Sequence, residues 1–423
     1  MKYKFNIKDF IDEYYEPLNI KTLQTILSYI TNRYIYNKES SEWVSIMANE
    51  FHNIIHDYKP YIEYLRKQKI ILIDYSYEVG EHSRRYCFTE YFKEHAKILE
   101  ILCEKKDESF EDSYLGIDSV IKRKIAKDYN DLLVDMKHVQ KKKLFMKDGA
   151  PIYDFNSYIH NIANLTKIDK NCSFYKWKTH GRLYTPFCYL SSNIKIENCF
   201  FNKNSKLTNL DIRSSFPLFL SLWFIENGVS KDLYELKDFT EGLINGKFYS
   251  HLCFKLNKVK DTDLKGTETE KPFYSKEQTK IEFQKWINGI NVHKNGKVKN
   301  DDINYVFERY YPELLEVVTK NKTQKGIMFH TLSIKESDFI FNIICSRIYN
   351  EVPGVKLLTC HDSIYFDNKY SKLIEPIWNE ELNKLYEQLN LKDEPEEIDA
   401  TFVGAEFLFE TPNLSKKEYQ KNN

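Results

Sequence analysis

The stretch Leu357 to Phe366, LLTCHDSIYF, constrains this chain more than any other. Its flanks, Val355-Lys356-Leu357-Leu358-Thr359 and Ile364-Tyr365-Phe366, have the β-branched and aromatic content of buried strands. Between them stand only a few polar residues, so the stretch reads as a β-hairpin with His361 and Asp362 at its tip. A carboxylate on so tight a turn is held rigidly and still reaches solvent, which is what a metal-binding catalytic Asp needs. An Asp that merely caps its own turn would be written with the same residues.

Length and composition narrow the setting. With 423 residues the chain has room for two or three domains, and 42% hydrophobic and 15% aromatic residues mark it as globular. Its 62 Lys and Arg balance 62 Asp and Glu, so bulk charge does not draw it to nucleic acid and any such contact must use local basic patches. The eight cysteines include no CxxC, which points to reduced thiols in a cytoplasmic protein and away from a disulfide frame or zinc site. No signal peptide is recognisable at the start, and the longest apolar stretch, Phe216 to Ile225, falls short of the roughly 20 residues of a membrane span.

Residues 1–105 read as one unit. Ile20, Leu23, Ile26, Leu27 and Ile30, then Trp43, Ile46, Met47, Phe51, Ile54 and Ile55, recur at helical spacing and predict two amphipathic helices. A third begins near Pro60 and leads into the strand Ile70 to Asp74, a turn around Gly80-Glu81 and a return strand Ser83 to Phe88. Three helices and a β-ribbon resemble a winged helix. The resemblance implies DNA contact through Lys67, Lys69, Arg84 and Arg85, although such domains also dock proteins and the basic residues equally describe a solvated face.

The charged run Glu104 to Glu108 marks a boundary, and residues 106–170 read as a helical thumb-like or linking segment. Within it Ile117 to Met146 predicts one long Lys-rich helix, with a second helix after Pro151. Residues 171–423 hold the remaining features. Gly181-Arg182 lies in a loop. Leu207 to Leu210 is a strand ending at Asp211, followed by a helix from near Pro217. Ser275 caps a helix that carries Lys276, Lys280 and Gln284 on one face and ends at Asn288-Gly289. A polar loop is expected between Lys255 and Lys271, an amphipathic helix leads from His330 into the hairpin, and Thr401 to Phe409 reads as a strand.

In this order the loop Gly181-Arg182, the strand-end Asp211, the helix with Lys280 and Asn288-Gly289, and the hairpin His361-Asp362 resemble the core of family A DNA polymerases and their single-subunit RNA polymerase relatives, over about residues 170–410. The resemblance implies an α+β right hand, with a palm built on an antiparallel sheet and helical fingers and thumb, behind the winged-helix-like domain. It implies a nucleotidyltransferase acting on a DNA primer-template with nucleoside triphosphates. The first expectation is a DNA-directed DNA polymerase; an RNA polymerase or primase, or a silent polymerase-like initiator, are the alternatives. The first 170 residues contain no acidic cluster of the kind a proofreading exonuclease needs.

The resemblance carries roles onto matching positions. Asp211 and Asp362 would hold two Mg²⁺ or Mn²⁺ ions, Lys280 and Lys276 would meet the triphosphate beside Gln284, Arg182 would reach the primer end in the minor groove, and His361 would orient the hairpin or contact the primer phosphate. The departures are informative. Phe216 stands where family A has Glu, as in family B enzymes whose aromatic excludes ribose, and so implies deoxynucleotides. Lys276 replaces an Arg, Asn288 replaces an aromatic, and His-Asp-Ser is closer to the RNA polymerase relatives. A winged helix joined to such a core would suit DNA replication in a phage or mobile element, with that element's replication proteins as partners.

Overall fold

The computed structural model describes residues 2–11, 18–35, 43–76, 83–102, 120–136, 146–147, 150–151, 155–170, 176–177, 181–202, 205–263, 274–289, 302–322 and 324–391. The fold is α+β, with many helices around small antiparallel sheets. The Glu104–Glu108 run, the turn at Gly80-Glu81 and the expected strand Thr401 to Phe409 lie outside the described residues.

The first part of the chain opens with strand β1 (Lys2–Phe5) and helix α1 (Ile20–Ile35), whose Leu23, Ile26, Leu27 and Ile30 are buried at the predicted spacing. The expected second helix starts later than its periodicity implied. Val44–Ser45 is a short strand, β2, and α2 covers only Ala48–Ile54, with Glu50 closing a capping arrangement on Met47 N. Helix α3 (Lys59–Lys67) carries Pro60 in its first turn, where a missing N–H costs nothing, and buries Ile62, Tyr64 and Leu65. Strands β3 (Ile71–Asp74) and β4 (Arg85–Phe88) complete a sheet in the order β2-β4-β3. Strand β5 (Ile98–Leu102) returns to pair with β1.

The Lys-rich stretch does not form one long helix. Helix α4 covers Val120–Asn130, and Leu133–Val134 then pairs with Cys199–Phe200. Docking stops the helix: Tyr129 Oη donates to Thr359 O at 2.6 Å, while Asp128 Oδ2 accepts from Tyr349 Oη at 2.5 Å and Leu357 N at 2.9 Å. Lys137, Lys141, Lys142 and Lys143 lie outside the described residues. Helix α5 (Phe155–Asp169) packs against the single turn Pro186–Tyr189, and the short helix α6 (Ser192–Asn198) follows.

The centre is a three-stranded sheet in the order β6-β8-β7, from β6 (Leu207–Asp211), β7 (Leu358–Cys360) and β8 (Ser363–Asp367). Every residue of β7 and β8 is buried, as their apolar composition requires. Helix α7 (Ser215–Glu226), SFPLFLSLWFIE, is apolar on all sides and is therefore a core helix, with Leu218, Leu220 and Phe224 fully enclosed. Each such side chain contributes about 1.5–3 kcal/mol of burial free energy.

Helix α8 runs Phe248–Asp263, so the first half of the expected polar loop is helical and residues 264–271 lie outside the described set. Helix α9 (Lys276–Asn288) packs on α8 and buries Phe283, Trp286 and Ile287. A single long helical run follows: α10 (Ile327–Asp338), a π-helical turn Phe339–Cys345, and α11 (Ser346–Glu351). Helix α12 (Ser371–Gln388) closes the described chain.

Candidate functional site

The expected hairpin forms where its sequence placed it. Cys360 pairs with Ser363, leaving His361 and Asp362 as a two-residue turn. His361 has φ +59°, the left-handed backbone demanded at the first position of a II′ hairpin turn. Its ring meets Tyr184 edge-on at 5.1 Å.

Strand β6 then sets the second carboxylate beside the first. In its register Asp211 faces Ser363, the residue after Asp362, and the amide of Ile212 donates to Asp362 O at 3.1 Å. Two acidic residues far apart in sequence thus sit at one end of one sheet. Ser214, at the entry to α7, also has a left-handed backbone, φ +55°. Ser214 and His361 are two of the four non-glycine residues with positive φ among the described residues, and strain of about 1–3 kcal/mol each persists only where the surroundings over-determine it.

Burial, then the neighbouring Asp362 charge, pushes the Asp211 carboxyl well above its ordinary range, with Lys280 pulling the other way. Burial likewise raises Asp362, opposed by its own backbone N–H and by Arg182, Lys280 and Lys195. Asp211 itself is exposed at the end of β6, so the burial that raises its carboxyl comes from the protein mass around the strand end and not from enclosure of the residue. Two carboxylates that resist ionising together are a donor set a divalent cation would relieve. Carboxylate oxygens are the donor type that hard divalent cations such as Mg²⁺ or Mn²⁺ take.

Helix α9 presents Lys276, Lys280 and Gln284 on its exposed face while its other face is core. Lys280 favours the ionised form of both Asp211 and Asp362, and its Nζ stands 5.9 Å from the Tyr249 ring. Asn288 and Gly289 end the helix as expected, and Asn288 O accepts from Gly326 N at 3.0 Å.

Arg182, expected to meet the primer end, is only 8% exposed and ion-paired through Nη2 and Nε, at 2.6 and 2.8 Å, with Glu336 Oε1. Gly181 lets the loop come close enough: its φ is +78°, and a Cβ there would lie 2.9 Å from Ser337 Cβ. The guanidinium faces the rings of Phe216 and Phe329 at 5.0 and 5.3 Å. Glu336 is 1% exposed and its Oε2 accepts from Ser215 Oγ at 2.7 Å.

Two further charged residues had no visible signal in the sequence. Glu336 lies in an amphipathic helix where a carboxylate reads as solvent-facing; instead burial raises its carboxyl, against the pull of Arg182. Lys195 on α6 is 5% exposed, with Nζ 3.4 Å from Cys360 Sγ and 3.4 Å from Cys188 O, and it also favours ionised Asp211 and Asp362.

Of the expected DNA contacts, Lys67, Lys69 and Arg84 are exposed, whereas Arg85 is engaged by Asp74 at 2.5 Å. Among the described residues Asp238, Glu241 and His251 also bring ligand-type atoms within 4.8 Å of one another, but Asp238 already pairs with Lys255. Among the described residues no helix is long and apolar enough to cross a membrane. Comparisons with protein-family models, with curated proteins and with solved structures each find no match to this chain.

Proposed function

We propose that the chain is a template-dependent nucleic-acid polymerase of the right-hand type, most simply a DNA-directed DNA polymerase without proofreading. The observation that carries this reading is the meeting of Asp211 and Asp362 at one end of an antiparallel sheet, with the charge of Lys280 on α9 favouring the ionised form of both. The sheet β6-β8-β7 would be the palm, and α8 and α9 part of the fingers. The order α1-β2-α2-α3-β3-β4 would be a winged helix that grips duplex through Lys67, Lys69 and Arg84.

In the reaction a 3′-hydroxyl attacks the α-phosphate of a nucleoside triphosphate. A P–O bond to the primer forms, the bond to pyrophosphate breaks, and the hydroxyl proton passes to solvent. Asp211 and Asp362 would hold two divalent ions, which when bound lower the pKa of the hydroxyl and neutralise the departing charge. Lys280, a compact charge on an exposed helix face, meets the triphosphate, with Lys276 one turn away toward its outer phosphates. Phe216, partly exposed at the start of α7 and four residues beyond Ile212, lies beside the sugar and favours deoxynucleotides.

Primer extension with Mg²⁺ or Mn²⁺, dNTPs and rNTPs offered separately, tests the reading. Incorporation that Asp211→Ala or Asp362→Ala lowers by at least about a thousandfold supports it. Incorporation that survives both substitutions, or a wild-type chain that extends nothing, refutes it.

A further inference from the structure

Phe216 is not a lone ring. It meets Phe329 edge-on, with centroids 5.6 Å apart and planes at 81°. The Arg182 guanidinium covers both rings, at 5.0 and 5.3 Å. Glu336 holds that guanidinium at 2.6 Å and holds Ser215, the residue before Phe216, through its other oxygen at 2.7 Å. Three separate elements, the Gly181-Arg182 loop, the start of α7 and helix α10, therefore converge on one aromatic side chain. Phe216 and Phe329 stay partly exposed while Arg182 and Glu336 behind them are buried, so the assembly has an open front and a closed back.

A ring excludes an added hydroxyl only to the extent that the ring cannot yield. An unsupported Phe moves to another rotamer at little cost, and discrimination is then limited by that small cost. A ring fixed by a packed neighbour, a cation over its face and a hydrogen-bonded backbone neighbour has no such escape. Arg182, spent on Glu336 and the rings, acts here within the protein.

We infer that Phe216 and Phe329 form a braced aromatic pair that selects the nucleotide sugar, with Phe329, Arg182 and Glu336 as the positioning residues that set how strictly ribose is rejected. This inference rests on the polymerase reading above and deepens it by naming the residues that hold the sugar-selecting ring in place.

The test measures kcat/KM for one dNTP and the matching rNTP on a primed template with the full chain, for wild type, Phe216→Ala, Phe329→Ala, the double variant and Glu336→Gln, after thermal melting shows each to be folded. Loss of the brace should raise rNTP use, so that the dNTP/rNTP ratio falls about tenfold or more in Phe329→Ala, chiefly through a lower KM for the rNTP. Because Phe329 acts through Phe216, the double variant should fall no further than Phe216→Ala alone. Glu336→Gln, which keeps the shape, offers its amide oxygen to Arg182 and an N–H to Ser215 Oγ in place of the acceptor, and lacks the charge that holds Arg182, should lie between wild type and Phe329→Ala. A ratio that falls in Phe216→Ala but not in Phe329→Ala or Glu336→Gln overturns the brace and leaves the polymerase reading intact, as do fully additive losses. A ratio unmoved by Phe216→Ala overturns the sugar role itself. A wild type that uses neither nucleotide overturns both the reading and this inference.

Discussion

Glu336→Ala isolates the energetics of the buried pair behind the candidate site without reference to any activity. Arg182 and Glu336 are 8% and 1% exposed, and one carboxylate oxygen accepts two guanidinium N–H groups at 2.6 and 2.8 Å. Truncating the acid strands a guanidinium in the interior, which costs about 3–5 kcal/mol for a buried pair. The two ring faces and the attraction of Asp362 remain to offset part of this, so the lower end, about 3 kcal/mol, is expected. Arg182→Met with Glu336→Leu removes both charges, and its expected cost is about 1 kcal/mol, mainly the acceptor lost to Ser215 Oγ. Burial raises the Glu336 carboxyl, so urea unfolding at about pH 8, where the acid is ionised most fully, is the proper assay. The single variant should lower the urea midpoint markedly and the double variant should recover most of the loss. Equal destabilisation of the two, or a single-variant loss under about 1 kcal/mol, would refute the attribution to a stranded charge.

Two further stability predictions follow from the same geometry. Burial raises the Asp128 carboxyl despite its hydrogen bonds from Tyr349 Oη and Leu357 N, so the folded state binds its proton more tightly than the unfolded chain and stability falls as pH rises above the ordinary Asp range. Asp128→Asn, whose amide oxygen can accept the same two bonds, should flatten that part of the stability-pH curve; an unchanged slope counts against the assignment. Gly181→Ala should destabilise by about 1–3 kcal/mol in urea unfolding, because Ala is strained at φ +78° and its Cβ would meet Ser337 Cβ at 2.9 Å; a neutral result would mean that the loop moves freely off α10.

Local patterns were legible wherever the residues that define an element also bury it. The strand ending at Asp211, the capped helix from Ser275 and the second flank of the His361-Asp362 turn lie within a residue or two of their predicted positions, whereas the first flank, read from Val355, is strand only from Leu358. The long Lys-rich helix failed for the complementary reason. Its periodicity does continue past Asn130, but Asp128 and Tyr129 bond to the hairpin, and the chain beyond them is drawn into a pairing with Cys199 and Phe200. The polar run from Lys255 gave a weak periodic signal, yet packing of α8 against α9 keeps it helical through Asp263.

By itself, then, the sequence determined the turn that carries Asp362, the strand that ends at Asp211 and the exposed cationic face of α9, because strand and helix periodicity are properties of neighbouring residues. Only the tertiary structure decided that Arg182 turns inward, that Glu336 is buried to receive it, and that Lys195 is buried against Cys188 and Cys360 beside the turn. Each of those depends on which faces of distant elements meet. A charged side chain carries no local mark of burial; its partner, supplied from a remote segment, is what makes burial affordable.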